Sequence, residues 1–343
     1  MARSRYLVTG CAGFVGSHLA EALLERDHEV VGIDAFTDYY AREVKEANLE
    51  GARSRPGFTF IERDLGEGEP DALVQGVDGV FHLAAQPGVR GSWGETFEIY
   101  VRENILATQR LLEAAARAEV RVVMASSSSV YGNAEAYPTR EDASPRPISP
   151  YGVSKLACES LAQTYSECFG LEVVALRYFT VYGPRQRPDM AFSRIISALQ
   201  GGKPFRLFGT GEQSRDFTYV DDAVAATLAA MNGGQGSRVY NVGGGSETTL
   251  GEVVALCEAL AGARLDLRHE PAAAGDVRRT AADTSRIRVE LGWSPRTSLE
   301  EGLAAQLVAS LDRPDDDRKA HRRAQADGEA HEGDFTASGG EQI

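Results

Sequence analysis

Tyr151 and Lys155 stand four residues apart at the head of a predicted helix over 152–169, one turn from each other on the same face. An aromatic–lysine surface pair is common and would need no further explanation. Beside a reacting hydroxyl the pair could do chemistry. An ammonium close to a phenol favours the phenolate, which can take a proton from an alcohol. Ser126-Ser127-Ser128-Ser129 closes an apolar run just upstream and is followed by Val130-Tyr131-Gly132. Four adjacent hydroxyls can simply satisfy the backbone of a turn. Next to a reacting oxygen, one of them could share a short hydrogen bond with it.

A second group of residues points to a dinucleotide. Gly10-Cys11-Ala12-Gly13-Phe14-Val15-Gly16 follows the first strand-like run and opens a helical one. Glycines there permit a tight turn and let a pyrophosphate reach backbone N–H groups at a helix N-terminus. Three glycines in such a turn can also serve packing alone, so the neighbouring signals matter. Asp34 ends the second strand, 24 residues after Gly10. A carboxylate at that place accepts from adenosine ribose hydroxyls and repels a 2′-phosphate, which selects NAD over NADP. Asp64 and Leu65 follow the third strand, where they could meet adenine. Leu83-Ala84-Ala85 follows His82 at the end of the fourth, small enough for a cofactor to pass closely. Against a bound nicotinamide, Tyr151 would take the proton of a substrate hydroxyl and Lys155 would hold the nicotinamide ribose.

These residues need elements to position them. Apolar runs at 6–8, 30–33, 58–61, 80–83, 122–124 and 173–178 alternate with helical patterns at 14–25, 98–117 and 152–169. Strands apolar on both faces, separated by helices, predict an α/β fold, a Rossmann-type doubly wound parallel sheet spanning 1–180. Residues 181–311 read as a smaller C-terminal α/β substrate lobe, with some segments returning to the sheet. Its expected helices are 191–200, 221–231, 250–260 and 299–311, and its expected strands 205–208, 239–242 and 265–268. From Asp312 onward nine acidic and five basic residues leave too little apolar surface to offset ordering entropy, so 312–343 is expected to be a disordered acidic tail.

Composition excludes several functions. The net charge of −14 argues against nucleic acid or an anionic membrane surface as partner, so an anionic substrate must meet local arginines. No run approaches the ~20 apolar residues of a membrane span. The N-terminus enters a strand directly and does not read as a signal peptide. The four cysteines form no C-x-x-C pair, which fits a reduced, cytoplasmic protein. The six histidines show no metal-ligand spacing, and no catalytic metal is expected.

The combination Gly10-x-x-Gly13-x-x-Gly16, Ser-x-x-Val-Tyr-Gly and Tyr151-x-x-x-Lys155 resembles the extended short-chain dehydrogenase/reductase family over residues 1 to about 311. That resemblance implies NAD as cofactor, Tyr151 as acid/base, Lys155 as its partner and Ser127 as the third catalytic residue. It also implies a homodimer built through helices like 98–117 and 152–169. The run from Arg177 through Tyr178-Phe179-Thr180-Val181-Tyr182-Gly183-Pro184 to Arg187-Pro188-Asp189-Met190-Ala191 is similar to nucleotide-sugar epimerases, and most to those acting on UDP-glucuronate. Gln86-Pro87-Gly88-Val89-Arg90 is similar to that group too. Many relatives carry Asn where this chain has Thr180.

A uronic acid gives that difference a physical sense. Its C5 carboxylate needs donors without a bulky amide in the way, and Ser128, Ser129 and Thr180 are such donors. Thr180 could equally be a packed strand-end residue. Arg215 and Arg278 are candidates for the UDP diphosphate, since a guanidinium can donate two bonds at once. Either could instead be a surface salt-bridge residue. Phe205 to Phe208 could present backbone to uracil and Asp276 could accept from a ribose hydroxyl. Arg90, Arg187 and Gln213 complete the expected substrate set. Arg278 departs from the glucuronate epimerases and is more like other UDP-hexose 4-epimerases. UDP-glucose and UDP-N-acetylhexosamine therefore stay open as substrates. A UDP-glucuronate decarboxylase or sugar 4,6-dehydratase usually has an acidic residue where this chain has Ser129. A non-catalytic cofactor sensor would not be expected to keep Ser127, Tyr151 and Lys155 together.

Overall fold

The computed structural model describes residues 3–68, 70–234, 236–271 and 275–312. Apart from Asp312, the tail expected to be disordered lies outside these residues. Six parallel strands follow the predicted apolar runs: β1 Arg5–Thr9, β2 Glu29–Asp34, β3 Phe58–Glu62, β4 Gly79–His82, β5 Val122–Ser127 and β6 Val173–Tyr178. A seventh, Arg238–Val242, pairs in parallel with β6, giving the order 238–242, β6, β5, β4, β1, β2, β3. This is a Rossmann-type sheet, with its order reversing between β1 and β4. The 239–242 run, expected within 181–311, is a segment of that region that returns to the main sheet. Its apolar residues Val239, Tyr240 and Val242 bury against the sheet's cores.

The sheet is buried on both faces, as its near-continuous apolar strands require. Leu7 and Val8, adjacent in β1, are each fully buried and point into the two different cores. Each such side chain contributes about 1.5–3 kcal/mol by its burial. Helix Phe14–Leu24 covers one face, while helices Ala107–Ala118 and Pro150–Phe169 cover the other. All seven strands run the same way, so Thr9, Asp34, His82, Ser127 and Tyr178 end at one edge. His82 is buried between the Thr9 and Thr108 hydroxyls at 2.8 and 3.0 Å. Burial pushes its pKa down to about 3 and keeps it neutral, a structural group at the strand end.

Two local features were not legible in the sequence pattern. Helix Arg42–Arg53 was missed because its buried face mixes Lys45 and Asn48 with Val44, Leu49 and Ala52. The predicted helix over 98–117 is interrupted: Phe97–Tyr100 is α-helical, Val101–Leu106 widens into π-helical turns, and Ala107–Ala118 is α-helical again. The wide turns bring Asn104 inward, where it accepts from Gln86 N at 2.7 Å and donates to Ser154 Oγ at 2.9 Å.

The smaller lobe has its own core of Phe192, Ile195, Phe205, Leu207, Phe217 and Val253. Helices Ala191–Gly201, Leu250–Ala261 and Leu299–Leu311 surround it, and strand Phe205–Phe208 pairs with Leu267–Glu270. Thr249 and Ser298 each begin a helix with a reciprocal capping box. Among the described residues, no helix is long and apolar enough to cross a membrane and no cluster of ligands could hold a metal ion.

Candidate active site

A cleft of ≈ 520 Å³ opens at the carboxyl edge of the sheet, under the smaller lobe. Gly10, Gly13, Phe14, Val15 and Gly16 line one end, as the turn between β1 and the first helix. Gly10 has φ +70°, and a Cβ there would come 2.7 Å from the Ala84 backbone N. At Gly16 a Cβ would come 2.1 Å from Gly10 O, so the turn closes only with glycine. Asp34 lies at the next strand end. Its Oδ2 accepts from Ala12 N at 3.1 Å and its Oδ1 from Phe36 N at 2.9 Å. Burial, the largest cause, raises its pKa, with Lys45 and the two amides opposing. A carboxylate has acceptor capacity beyond two amide bonds, which leaves it able to take ribose hydroxyls.

Leu65, Leu83, Ala84 and Ala85 line the cleft further along. Asp64 is not part of that wall. Its Oδ1 accepts from Gly66 N at 2.7 Å and closes the turn after β3. An aspartate two residues before a glycine in a turn carries this alternative on its face.

The catalytic candidates share the middle of the cleft. Helix Pro150–Phe169 begins at Ser149, whose side chain accepts from Gly152 N at 3.1 Å, with Pro150 in the first turn. That start puts Tyr151 and Lys155 on the cleft side, and both line it. Lys155 is buried and its Nζ donates to Ala125 O in β5 at 3.0 Å. Tyr151 meets Tyr100 edge-on, ring centroids 6.2 Å apart. Ser127, Ser128, Ser129 and Thr180 line the same region. Ser127 Oγ accepts from Ser129 N at 3.1 Å and so starts the short turn Ser128–Tyr131.

Toward the lobe the wall is formed by Arg90, Arg187, Phe205, Phe208, Gln213 and Asp276. Arg90 donates to Asp276 Oδ2 at 2.8 Å and lies 4.1 Å over the Phe208 ring. Arg187 donates to both oxygens of Asp189 at 3.0 Å each. Arg215 and Arg278 are not in the wall. Arg215 Nη1 donates to Ser214 O at 2.8 Å, and Arg278 is exposed.

Sequence reasoning missed Tyr39, Tyr40, Lys45, Asp189 and Arg194, which also line the cleft. Arg194 has its guanidinium 6.0 Å from the Phe208 ring centroid. One signal for it existed: it follows the distinctive run ending at Ala191 by three residues, one helical turn. Tyr39 and Tyr40 sit in an irregular loop after Asp34 and had no periodic signal.

The model of the NAD dependent epimerase/dehydratase family matches residues 6–243. A Bacillus subtilis (strain 168) protein named as an uncharacterized UDP-glucose epimerase, YtcB, is 44% identical over 308 residues, 89% of this chain and 97% of its own. The UDP-glucuronate 4-epimerase of Thermodesulfobacterium geofontis is 36% identical over 304 residues, covering 87% and 93%. Among solved structures, UDP-glucuronic acid 4-epimerase from Bacillus cereus, in complex with UDP-glucuronic acid and NAD, superposes with TM-score 0.86 at 41% identity, covering 89% of this chain and 98% of that one.

Proposed function

This chain belongs to the NAD-dependent epimerase/dehydratase family, and on that premise we propose that it interconverts UDP-glucuronate and UDP-galacturonate by inverting C4, with NAD as resident cofactor. The observation that carries the reading is the convergence of Tyr151, Lys155, Ser127, Ser128, Ser129 and Thr180 on the cleft that also holds the Gly10–Gly16 turn and Asp34.

The residues fit NAD. The glycine turn leaves backbone N–H groups at a helix start for a pyrophosphate, and Asp34 suits a ribose diol while disfavouring a 2′-phosphate. Leu65, Ala84 and Ala85 would flank the adenosine and the passing backbone, and Lys155 would hold the nicotinamide ribose. Bound NAD supplies the two-electron oxidation and re-reduction of C4.

The chain's own residues do the rest. Tyr151 takes the C4 hydroxyl proton and later returns it, with Lys155 one helical turn away on the same side of the cleft. Ser127 shares a hydrogen bond with the same oxygen. Between the two half-reactions the 4-keto sugar turns about its diphosphate link and presents its other face. Phe205, Phe208, Gln213, Arg90, Arg187 and Asp276 hold the nucleotide through that turn. Ser128, Ser129 and Thr180 donate to the C5 carboxylate. A 4-keto uronic acid is a β-keto acid, so fixing the carboxylate in the plane of the ketone also opposes loss of CO2.

We take the protein to act in the cytoplasm as a homodimer. The helical run 97–118 and helix Pro150–Phe169 lie side by side, and Ile99, Val101 and Val153 remain exposed on them. The 44% identical relative named as an uncharacterized UDP-glucose epimerase supports UDP-glucose as the alternative substrate.

The test is to incubate the purified protein with UDP-glucuronate, UDP-glucose and UDP-N-acetylglucosamine, without added NAD, and follow products by NMR. UDP-galacturonate is expected. Conversion of UDP-glucose alone would reject the carboxylate reading, and a UDP-pentose would mean decarboxylation.

A further inference from the structure

Glu159 lies one turn beyond Lys155 and two beyond Tyr151 on helix Pro150–Phe169. It is buried, and it receives both arms of the Arg177 guanidinium, Nε at 2.9 Å and Nη2 at 2.7 Å. Its Oε1 also accepts from Ser126 Oγ. Arg177 in β6 continues the chain of bonds. Its Nη1 donates to Tyr131 Oη at 2.7 Å, and Tyr131 Oη donates to Asn241 Oδ1 at 2.6 Å. Helix Pro150–Phe169, β5, β6, the turn after β5 and strand Arg238–Val242 are thus joined by one network that reaches the cleft at Ser126.

The register of these contacts is informative. Lys155 is anchored on Ala125 O, and Glu159, four residues later, is anchored on Ser126, the next residue of β5. Two successive turns of the helix are therefore fastened to two successive residues of one strand. That fixes both the rotation of the helix and its position along β5. Tyr151 is carried on the helix, and Ser127 follows Ser126 on the strand. Their separation is set by this double fastening. A buried ion pair is weak evidence for stability, because desolvation offsets much of the attraction, so a role in geometry is the stronger account of it.

We propose that Glu159, held by Arg177 and bonded to Ser126, is a positioning residue that sets Tyr151 and Lys155 against Ser127. The proposal rests on the reading that those three residues perform the C4 chemistry. A helix displaced by a fraction of an ångström would bind the UDP-sugar as before and react more slowly.

The decisive variant is Ser126→Ala, which removes the fastening of Glu159 to β5 and leaves the Glu159–Arg177 pair in place; because Ser126 also lines the cleft, bound NAD and KM are read alongside kcat. With UDP-glucuronate as substrate, kcat should fall about tenfold while KM stays within about twofold. Melting temperature and bound NAD should be unchanged, and Ser126→Thr, which keeps the hydroxyl, should recover most of the loss. Glu159→Leu with Arg177→Met replaces the pair by apolar groups of similar size and should fold, with kcat reduced at least as far. A stable Ser126→Ala with wild-type kcat would overturn the proposal. So would a kcat loss that Ser126→Thr does not recover. A wild-type protein that converts no UDP-sugar would instead remove the premise, and the proposal with it.

Discussion

The Tyr39 hydroxyl donates to Asp189 Oδ2 at 3.2 Å, joining the loop after β2 to the loop after β6 across the carboxyl edge of the sheet. On its way it packs on the loop after β4, where a Cβ on Gly88 would come 2.4 Å from Tyr39 Oη. Burial, followed by the charge of Asp189, raises the phenol well above its ordinary range, so it stays a donor. Tyr39 lines the same cleft as the glycine turn. Tyr39→Phe should keep the fold and lose NAD faster by about tenfold, the effect of one hydrogen bond to a charged group. Bound NAD after gel filtration, and its release rate, check this. Retention equal to wild type would show that the contact does not confine the cofactor.

Thr180 lines the cleft with Ser128 and Ser129. Thr180→Asn puts a larger amide where the carboxylate is expected. Turnover of UDP-glucuronate should fall by about tenfold or more, and that of UDP-glucose by much less. Parallel kcat/KM measurements on the two substrates decide it, and equal losses would count against a carboxylate at this place.

Gly16→Ala should destabilise the chain and empty it of cofactor. The added Cβ would sit 2.1 Å from Gly10 O, a backbone atom that cannot swing aside. Overpacking of this kind costs about 1–3 kcal/mol, and here the turn that would carry the pyrophosphate must shift as well. Thermal unfolding with NAD quantified in the same sample would show both losses. A stable, NAD-loaded variant would contradict the packing argument.

His18 makes folding sensitive to acid. Its Nε2 lies 2.9 Å from Pro184 O, and burial, with Arg185 adding to it, pushes its pKa from 6.5 down to about 4. The folded state thus prefers the neutral ring. Its contribution is present above pH 6.5 and is lost as pH falls toward about 4. The linkage amounts to about 3 kcal/mol at most. Urea unfolding at pH 7.5 and pH 4.5 should show a smaller acid loss in His18→Asn than in wild type, where about 3 kcal/mol is the ceiling. Identical pH dependence in the two proteins would rule this out.

Much of the cleft's wall was legible in the sequence. The Gly10–Gly16 turn, Asp34, the serine run and the Tyr151/Lys155 pair each sit in one contiguous motif at the end of one element. In a parallel sheet all such ends meet at a single edge, so local order along the chain was enough to bring them together. Helix Arg42–Arg53 escaped because polar residues buried on its inner face broke the pattern. The 239–242 strand is one of the segments that return to the sheet, and its own residues carry no mark of the pairing with β6 that puts it there.

Sequence alone determined the fold class, the glycine turn after β1 and the one-turn spacing of Tyr151 and Lys155, because hydrophobic period and short-range spacing encode them directly. Tertiary structure alone decided what the long charged side chains do. Asp189 binds Tyr39 from 150 residues away and Arg90 binds Asp276 from 186. Asp64 serves a turn, and Glu159 meets Arg177 only where helix and strand pack. An arginine can reach many carboxylates equally well, and the backbone fold settles which one lies within hydrogen-bond distance.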